Sequence, residues 1–305
     1  MTKATGNDRT AQGILLILGS VALMAFADAM VKLASAELTV WQIFATRSLI
    51  VLPLMGAIAW VADRNGFRLK APGWVLLRSA LLVLTWLTFY ASLPVLTLSV
   101  AAVVVYTNPI MIALLSAALL GGGVTLRQWG GVGLGFLGVV TILRPGTEDF
   151  SWAVLLPLLA AAFYALSMVL TRLKCRDESP LALGLTLHGS FVVTGVAATV
   201  IISLVDPADN LQATSPFLLG DWAPMDGSAW GLMALLALLS AAYFVGVARA
   251  YQIAPPQIIA TFDYAYLVWA AIWSFVFFAE APDLFTVAGM VLITLAGLMV
   301  ATRQS

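Results

Sequence analysis

The chain is poor in charge, in cysteine and in histidine, and each shortage excludes a class of protein. Only 10% of its 305 residues are Asp, Glu, Lys or Arg, whereas a water-soluble domain carries about 25%. With 62% hydrophobic residues, no soluble fold keeps so much apolar surface from water. Cys175 is the only cysteine, which excludes an internal disulfide and argues against a cysteine-based zinc site. A single histidine, His188, and the lack of an H-E-x-x-H pattern remove the usual metallohydrolase signature. No metal or cofactor is therefore expected, and a membrane-embedded enzyme is the weakest function class. The glycines Gly130, Gly131, Gly133, Gly135 and Gly138 have no Walker lysine beside them. The spacing of Gly131 and Gly135 suits close helix packing instead. With no ATP-binding module, neither an ATPase subunit nor a nucleic-acid partner is implied; the expected partners are a small-molecule substrate and the lipid bilayer.

What the chain does contain is one apolar run after another. Cut at Gly, Pro and charge clusters, it falls into ten segments: 12–33, 40–62, 73–94, 97–120, 125–143, 150–172, 181–204, 228–251, 256–278 and 283–302. A membrane-spanning helix needs roughly 20 such residues. The first run lacks a small-x-small cleavage site and reads as a retained span. With the N-terminus inside, one side collects Lys3, Arg9, Arg64, Arg68, Lys70, Arg127, Arg172, Lys174, Arg176, Arg249 and Arg303. The other side keeps mainly Arg144, and the loop 205–227 holds four Asp and no Lys or Arg. This asymmetry predicts that both termini are cytoplasmic and the number of spans even.

An internal repeat accompanies the pattern. Residues 103–131 resemble 261–289 at a constant offset of 158, so that Tyr106 falls on Tyr264, Leu126 on Leu284 and Gly131 on Gly289. Each half holds five spans, and five is odd, so the second copy enters the membrane from the opposite side. The expected fold is an all-α polytopic membrane protein: ten transmembrane helices as two inverted five-helix repeats, residues 1–146 and 147–305, around a central cavity.

Three stretches carry a family resemblance: 24–54 (MAFADAMVKLASAELTVWQIFATRSLIVLPL), 89–146 and 250–297. Together they resemble the drug/metabolite transporter superfamily in its EamA-type branch. The resemblance implies ten spans and secondary transport of small metabolites; many members export amino acids, including aromatic ones, and some relatives import riboflavin or S-adenosylmethionine. Family members often carry Glu just after span four. Here that place reads Gly121-Gly122-Gly123, while the matching place of the second half keeps Glu280.

Charges at membrane depth mark candidate sites, because they are costly there and face a cavity or a partner. Asp28 and Arg47 lie at similar depth on spans one and two, which makes an ion pair between them geometrically feasible, with Lys32 a turn above Asp28 as a competitor. His188 and Asp263 share a depth on the opposite side, and a His–Asp pair would suit proton transfer at physiological pH. Trp86, Tyr90, Tyr106, Tyr164, Tyr243, Tyr264, Tyr266 and Trp269 lie deep enough to line a pocket. Asn108-Pro109 interrupts span four, where proline frees a carbonyl and Asn108 offers an amide. The expected function is an alternating-access secondary transporter in a bacterial inner membrane, for an amino acid (aromatic or otherwise neutral) exported from the cell. The alternatives are uptake of a riboflavin- or S-adenosylmethionine-like metabolite and a channel-like facilitator.

Overall fold

The computed structural model describes residues 9–62, 69–120, 126–143 and 151–301. Lys3, Arg64, Arg68, Arg144, Arg303 and the Gly121–Gly123 run lie outside them. Among the described residues all regular structure is helical. The first half comprises α1 (Thr10–Ala34), α2 (Val40–Ala62), α3 (Pro72–Ser92), α4 (Leu98–Val105), α5 (Asn108–Leu120) and α6 (Leu126–Leu143). After a 3-10 turn at Trp152–Val154 come α7 (Leu155–Lys174), α8 (Pro180–Val205), the short α9 (Asp209–Thr214) and α10 (Pro216–Leu219), and α11 (Gly227–Ile253). The chain ends with α12 (Pro256–Asp263), α13 (Ala265–Phe278) and α14 (Leu284–Ala301).

Eight stretches in this set are long and apolar enough to cross a membrane; α6 and α14 contain shorter apolar runs, Trp129–Ile142 and Leu284–Ala296. The chain is thus a multi-pass helical membrane protein. Helix starts follow the local sequence. Proline opens α3, α8 and α12, where its missing N–H costs nothing. Thr97 and Asp226 cap α4 and α11 by accepting from the N–H groups of Val100 and Ala229. Ala279 ends α13 with φ 54°, a left-handed conformation that an alanine adopts at a cost. This turn aims Glu280 back toward the bundle.

The two halves interleave. The most extensive packing joins α1 to α11, α2 to α8, α3 to α7 and α6 to α14, each pair drawing one helix from either side of residue 150. Small residues allow the approach. A Cβ on Gly195 of α8 would stand 2.7 Å from the Trp41 carbonyl oxygen of α2. In α6, a Cβ on Gly138 would meet Ile293 of α14 at 2.8 Å.

Two spans are broken inside the bundle. Span four divides at Tyr106-Thr107, between α4 and α5, and Pro109 follows at once. Span nine divides at Tyr264, between α12 and α13, with no proline at the break. The breaks are thus 158 residues apart, the offset of the sequence repeat, and they meet: Tyr106 and Tyr264 have ring centroids 6.3 Å apart.

Candidate functional site

The interior around these breaks holds charged side chains from several helices. Asp28 stands on α1 among Ala25, Ala27 and Ala29, small neighbours that let other helices close over it. Both of its carboxylate oxygens are occupied. Tyr90 on α3 donates to Oδ1 at 3.1 Å, and Tyr266 on α13 donates to Oδ2 at 2.7 Å. Beside it lies a cavity of about 30 Å³ lined by Asp28, Trp86, Tyr106, Asn108, Tyr164 and Tyr266 among others. About two water molecules fit such a space, so in this conformation the centre is closed to any organic metabolite. The Trp86 Nε1 and Asn108 Oδ1 atoms at its wall have no hydrogen-bond partner among the described residues.

Arg47 is wholly buried on α2. Its guanidinium lies 5.2 Å from the Phe191 ring centroid and 5.9 Å from that of Phe44, within cation–π range. None of its three nitrogens makes a hydrogen bond of good geometry; the Tyr90 hydroxyl is its nearest polar partner, and Tyr243 and Asp28 act on it electrostatically. The ion pair expected between Asp28 and Arg47 does not form: two tyrosine hydroxyls take the carboxylate. Lys32, the expected competitor, turns away to Glu280.

His188 and Asp263 also part company. On α8, His188 Nδ1 meets Ser48 Oγ at 3.1 Å, its Nε2 has no partner, and its ring faces Phe191 and Phe244. Asp263 accepts from Tyr251 on α11 through Oδ2 at 2.6 Å, while Oδ1 has no partner. The two do not share neighbours, because α8 packs chiefly on α2 whereas α12 packs on α5 and α1.

The deep aromatics form two groups that meet at Asp28. Trp86 touches Tyr90, Tyr243 and Phe244 with centroids 5.2–6.1 Å apart, and Tyr106 stacks on Tyr266 at 4.7 Å. Trp269 is a correction to the expectation: it is 38% exposed on the outside of the bundle, stacked on Trp273. Its depth was legible, but the side of the helix it faces was not.

Polar contacts close both ends. At the end carrying the start of α3, the buried Glu178 carboxylate accepts from the N–H groups of Ala71 at 2.7 Å and Lys70 at 3.1 Å, where the helix start is partially positive. Gln252 donates to the carbonyls of Cys175 and Glu178, and Arg78 to Thr171 at 2.7 Å. At the opposite end, Lys32 Nζ binds Glu280 at 2.9 and 3.0 Å, and Ser274 donates to Glu280 at 3.1 Å. Beyond that pair opens a vestibule of about 430 Å³ whose wall includes Leu96, Thr97, Ser99, Glu280 and Asp283.

The EamA-like transporter family matches residues 11–144 and again 151–302. The chain belongs to this family. Among curated relatives, the S-adenosylmethionine uptake transporter of Rickettsia prowazekii is 26% identical over 294 residues, covering 94% of this chain and 92% of its own. The riboflavin transporter of Rhizobium johnstonii is 27% identical, covering 88% and 82% of the two chains. The pseudopaline exporter CntI of Pseudomonas aeruginosa is 26% identical, covering 95% of each. A solved crystal structure superposes with a TM-score of 0.64 at 16% identity over 95% of both chains, a likeness of fold. Family and relatives together support a small-molecule transporter rather than an enzyme, in a family whose curated members here are bacterial.

Within this EamA-like bundle, sequence reasoning missed Arg78, Glu178, Tyr251 and the Lys32–Glu280 pair. Arg78 carried a usable signal, since it sits within one residue as far into α3 as Arg47 does into α2. The others lie near helix ends, where a charge or a tyrosine is unremarkable until its partner is known.

Proposed function

We propose that the chain is an alternating-access carrier of a small amino-acid-like metabolite bearing a flat ring. In this reading residues 1–146 and 147–305 are two inverted five-helix repeats, α6 and α14 complete ten spans, and both termini face the cytoplasm of a bacterial inner membrane. The exchange pattern of helix pairs and the two breaks 158 residues apart support that arrangement. The observation that carries the substrate class is Arg47: a fully buried guanidinium with no ion-pair partner among the described residues and no hydrogen bond of good geometry, set among aromatic rings. A buried cation in this state gains most from an anionic partner, and a carboxylate fits its fork. The Trp86–Tyr90–Tyr243 wall would take the ring by stacking.

A second reading, uptake of S-adenosylmethionine or riboflavin, is favoured by the names of two relatives, and both molecules carry a flat heteroaromatic ring. Counterflow in proteoliposomes separates them, with L-tryptophan, L-phenylalanine, S-adenosylmethionine and riboflavin as probes. Arg47→Gln should fold as the wild type does and weaken the carried carboxylate substrate at least about a hundredfold, the cost of removing one partner of a buried charge pair. Equal counterflow by both proteins refutes the role of Arg47. Leak without exchange would identify a facilitator instead.

A further inference from the structure

Asp263 occupies an unusual place. It is the last residue of α12, it is 1% exposed, and the chain breaks at the next residue. The carboxyl end of a helix is partially negative and disfavours an anion. The groups around it offer no counter-charge. Tyr251 faces it from α11, Tyr164 from α7, Tyr106 from the α4–α5 break, and Tyr264 follows it in the chain. On α1, Asp28 is held by Tyr266, three residues beyond Asp263, and Lys32 is engaged by Glu280. Neither α5 nor α14 contains an ionisable residue. Arg78, which acts on Tyr164, is hydrogen-bonded to Thr171. Asp28 is as deeply buried but differs in its partners: both oxygens accept a hydroxyl, and Arg47 acts on it.

An anion so placed needs a cation bound to it, and Oδ1 is the oxygen that accepts no hydrogen bond. We propose that Asp263 is a proton-binding site, loaded while the bundle is closed at both ends and emptied when the α12–α13 break moves. The break is pinned on both flanks, by Tyr251 on Asp263 and by Tyr266 on Asp28. Removing the proton leaves a bare charge on one flank, and water reaching the opened joint both takes the proton and solvates that charge. Proton release and movement of the joint then favour each other. The use of this proton in transport rests on the carrier reading above; the site itself does not.

Infrared difference spectroscopy tests the site without any substrate. The full chain is held in a maltoside detergent, which has no ester carbonyl, and titrated from mildly acidic to alkaline pH. The expected result is a carbonyl band of a protonated carboxyl group that is lost on the alkaline side. It should be absent from Asp263→Asn, shifted in Asp263→Glu and retained in Asp28→Asn. If Asp263→Asn fails to fold, the shift in Asp263→Glu decides. No titrating band in folded wild-type protein, or one that survives in Asp263→Asn or disappears in Asp28→Asn, overturns the assignment. Loss of the band when sodium replaces choline at constant pH would make the site a metal-cation site and overturn it too. Absence of counterflow with every probe would refute the carrier reading alone, whereas absence of the band would refute this inference alone.

Discussion

The Lys32–Glu280 pair should act as a latch whose strength can be read from one side of the membrane. Its side chains are 12% and 29% exposed, between the surface case, worth under about 1 kcal/mol, and a buried charged hydrogen bond, worth about 1.5–3 kcal/mol. Glu280→Gln keeps an acceptor for Ser274 and leaves the ammonium 4.7 Å from the centre of the Phe278 ring, so part of the interaction survives. A loss of about 1 kcal/mol is therefore expected, which raises the population open toward the vestibule about fivefold. The reporter is Thr85→Cys in a Cys175→Ala background, since Thr85 lines the central cavity and is 4% exposed. A membrane-impermeant thiol reagent, added on the vestibule side, should label it about five times faster when Glu280→Gln is present. The exchanged pair Lys32→Glu with Glu280→Lys should return the rate toward the starting value. An unchanged rate in Glu280→Gln would refute the latch.

Two further predictions concern stability. Gly195→Ala drives a methyl group to within 2.7 Å of the Trp41 carbonyl and should cost about 1–3 kcal/mol. Gly189→Ala on the same helix meets nothing within 4 Å and should be neutral or stabilising; equal unfolding curves for the two variants would contradict the packing argument. At the start of α11, the Ala229 N–H and Ser228 hydroxyl hold the Asp226 carboxyl below the usual carboxylate range. Because the folded form has the lower value, the cap contributes stability above the ordinary carboxylate value of about 3.9, and the contribution is lost as the pH falls through the lowered one. Asp226→Asn keeps an acceptor at the cap and should flatten the acid side of the stability profile relative to wild type; identical acid profiles would exclude the contribution.

The sequence was most informative about length and depth and least informative about direction around a helix axis. Apolar runs announce helices because a bilayer leaves no other way to satisfy the backbone, so the run 228–251 lies within α11, Gly227–Ile253. The break in span four was legible because Pro109 cannot donate. The one in span nine has no such residue, and only the repeat, by laying Tyr264 under Tyr106, pointed to it. Asp28 with Arg47, and His188 with Asp263, were paired by counting residues from the span ends, and the structure joins neither pair. Hydropathy counts residues from the interface, while pairing depends on rotation, which is set by contacts such as Gly195 against Trp41. Long-range pairs such as Lys32 with Glu280, 248 residues apart, leave no local trace at all.

The meeting of the two broken spans has a consequence for the history of the chain. Tyr106 touches Tyr264 and stacks on Tyr266, so each half rests its joint on the joint of the other. A substitution at either joint therefore changes the packing surface of the other. One family model matches both halves, and at this crossing a change in either joint has to be accommodated by the other.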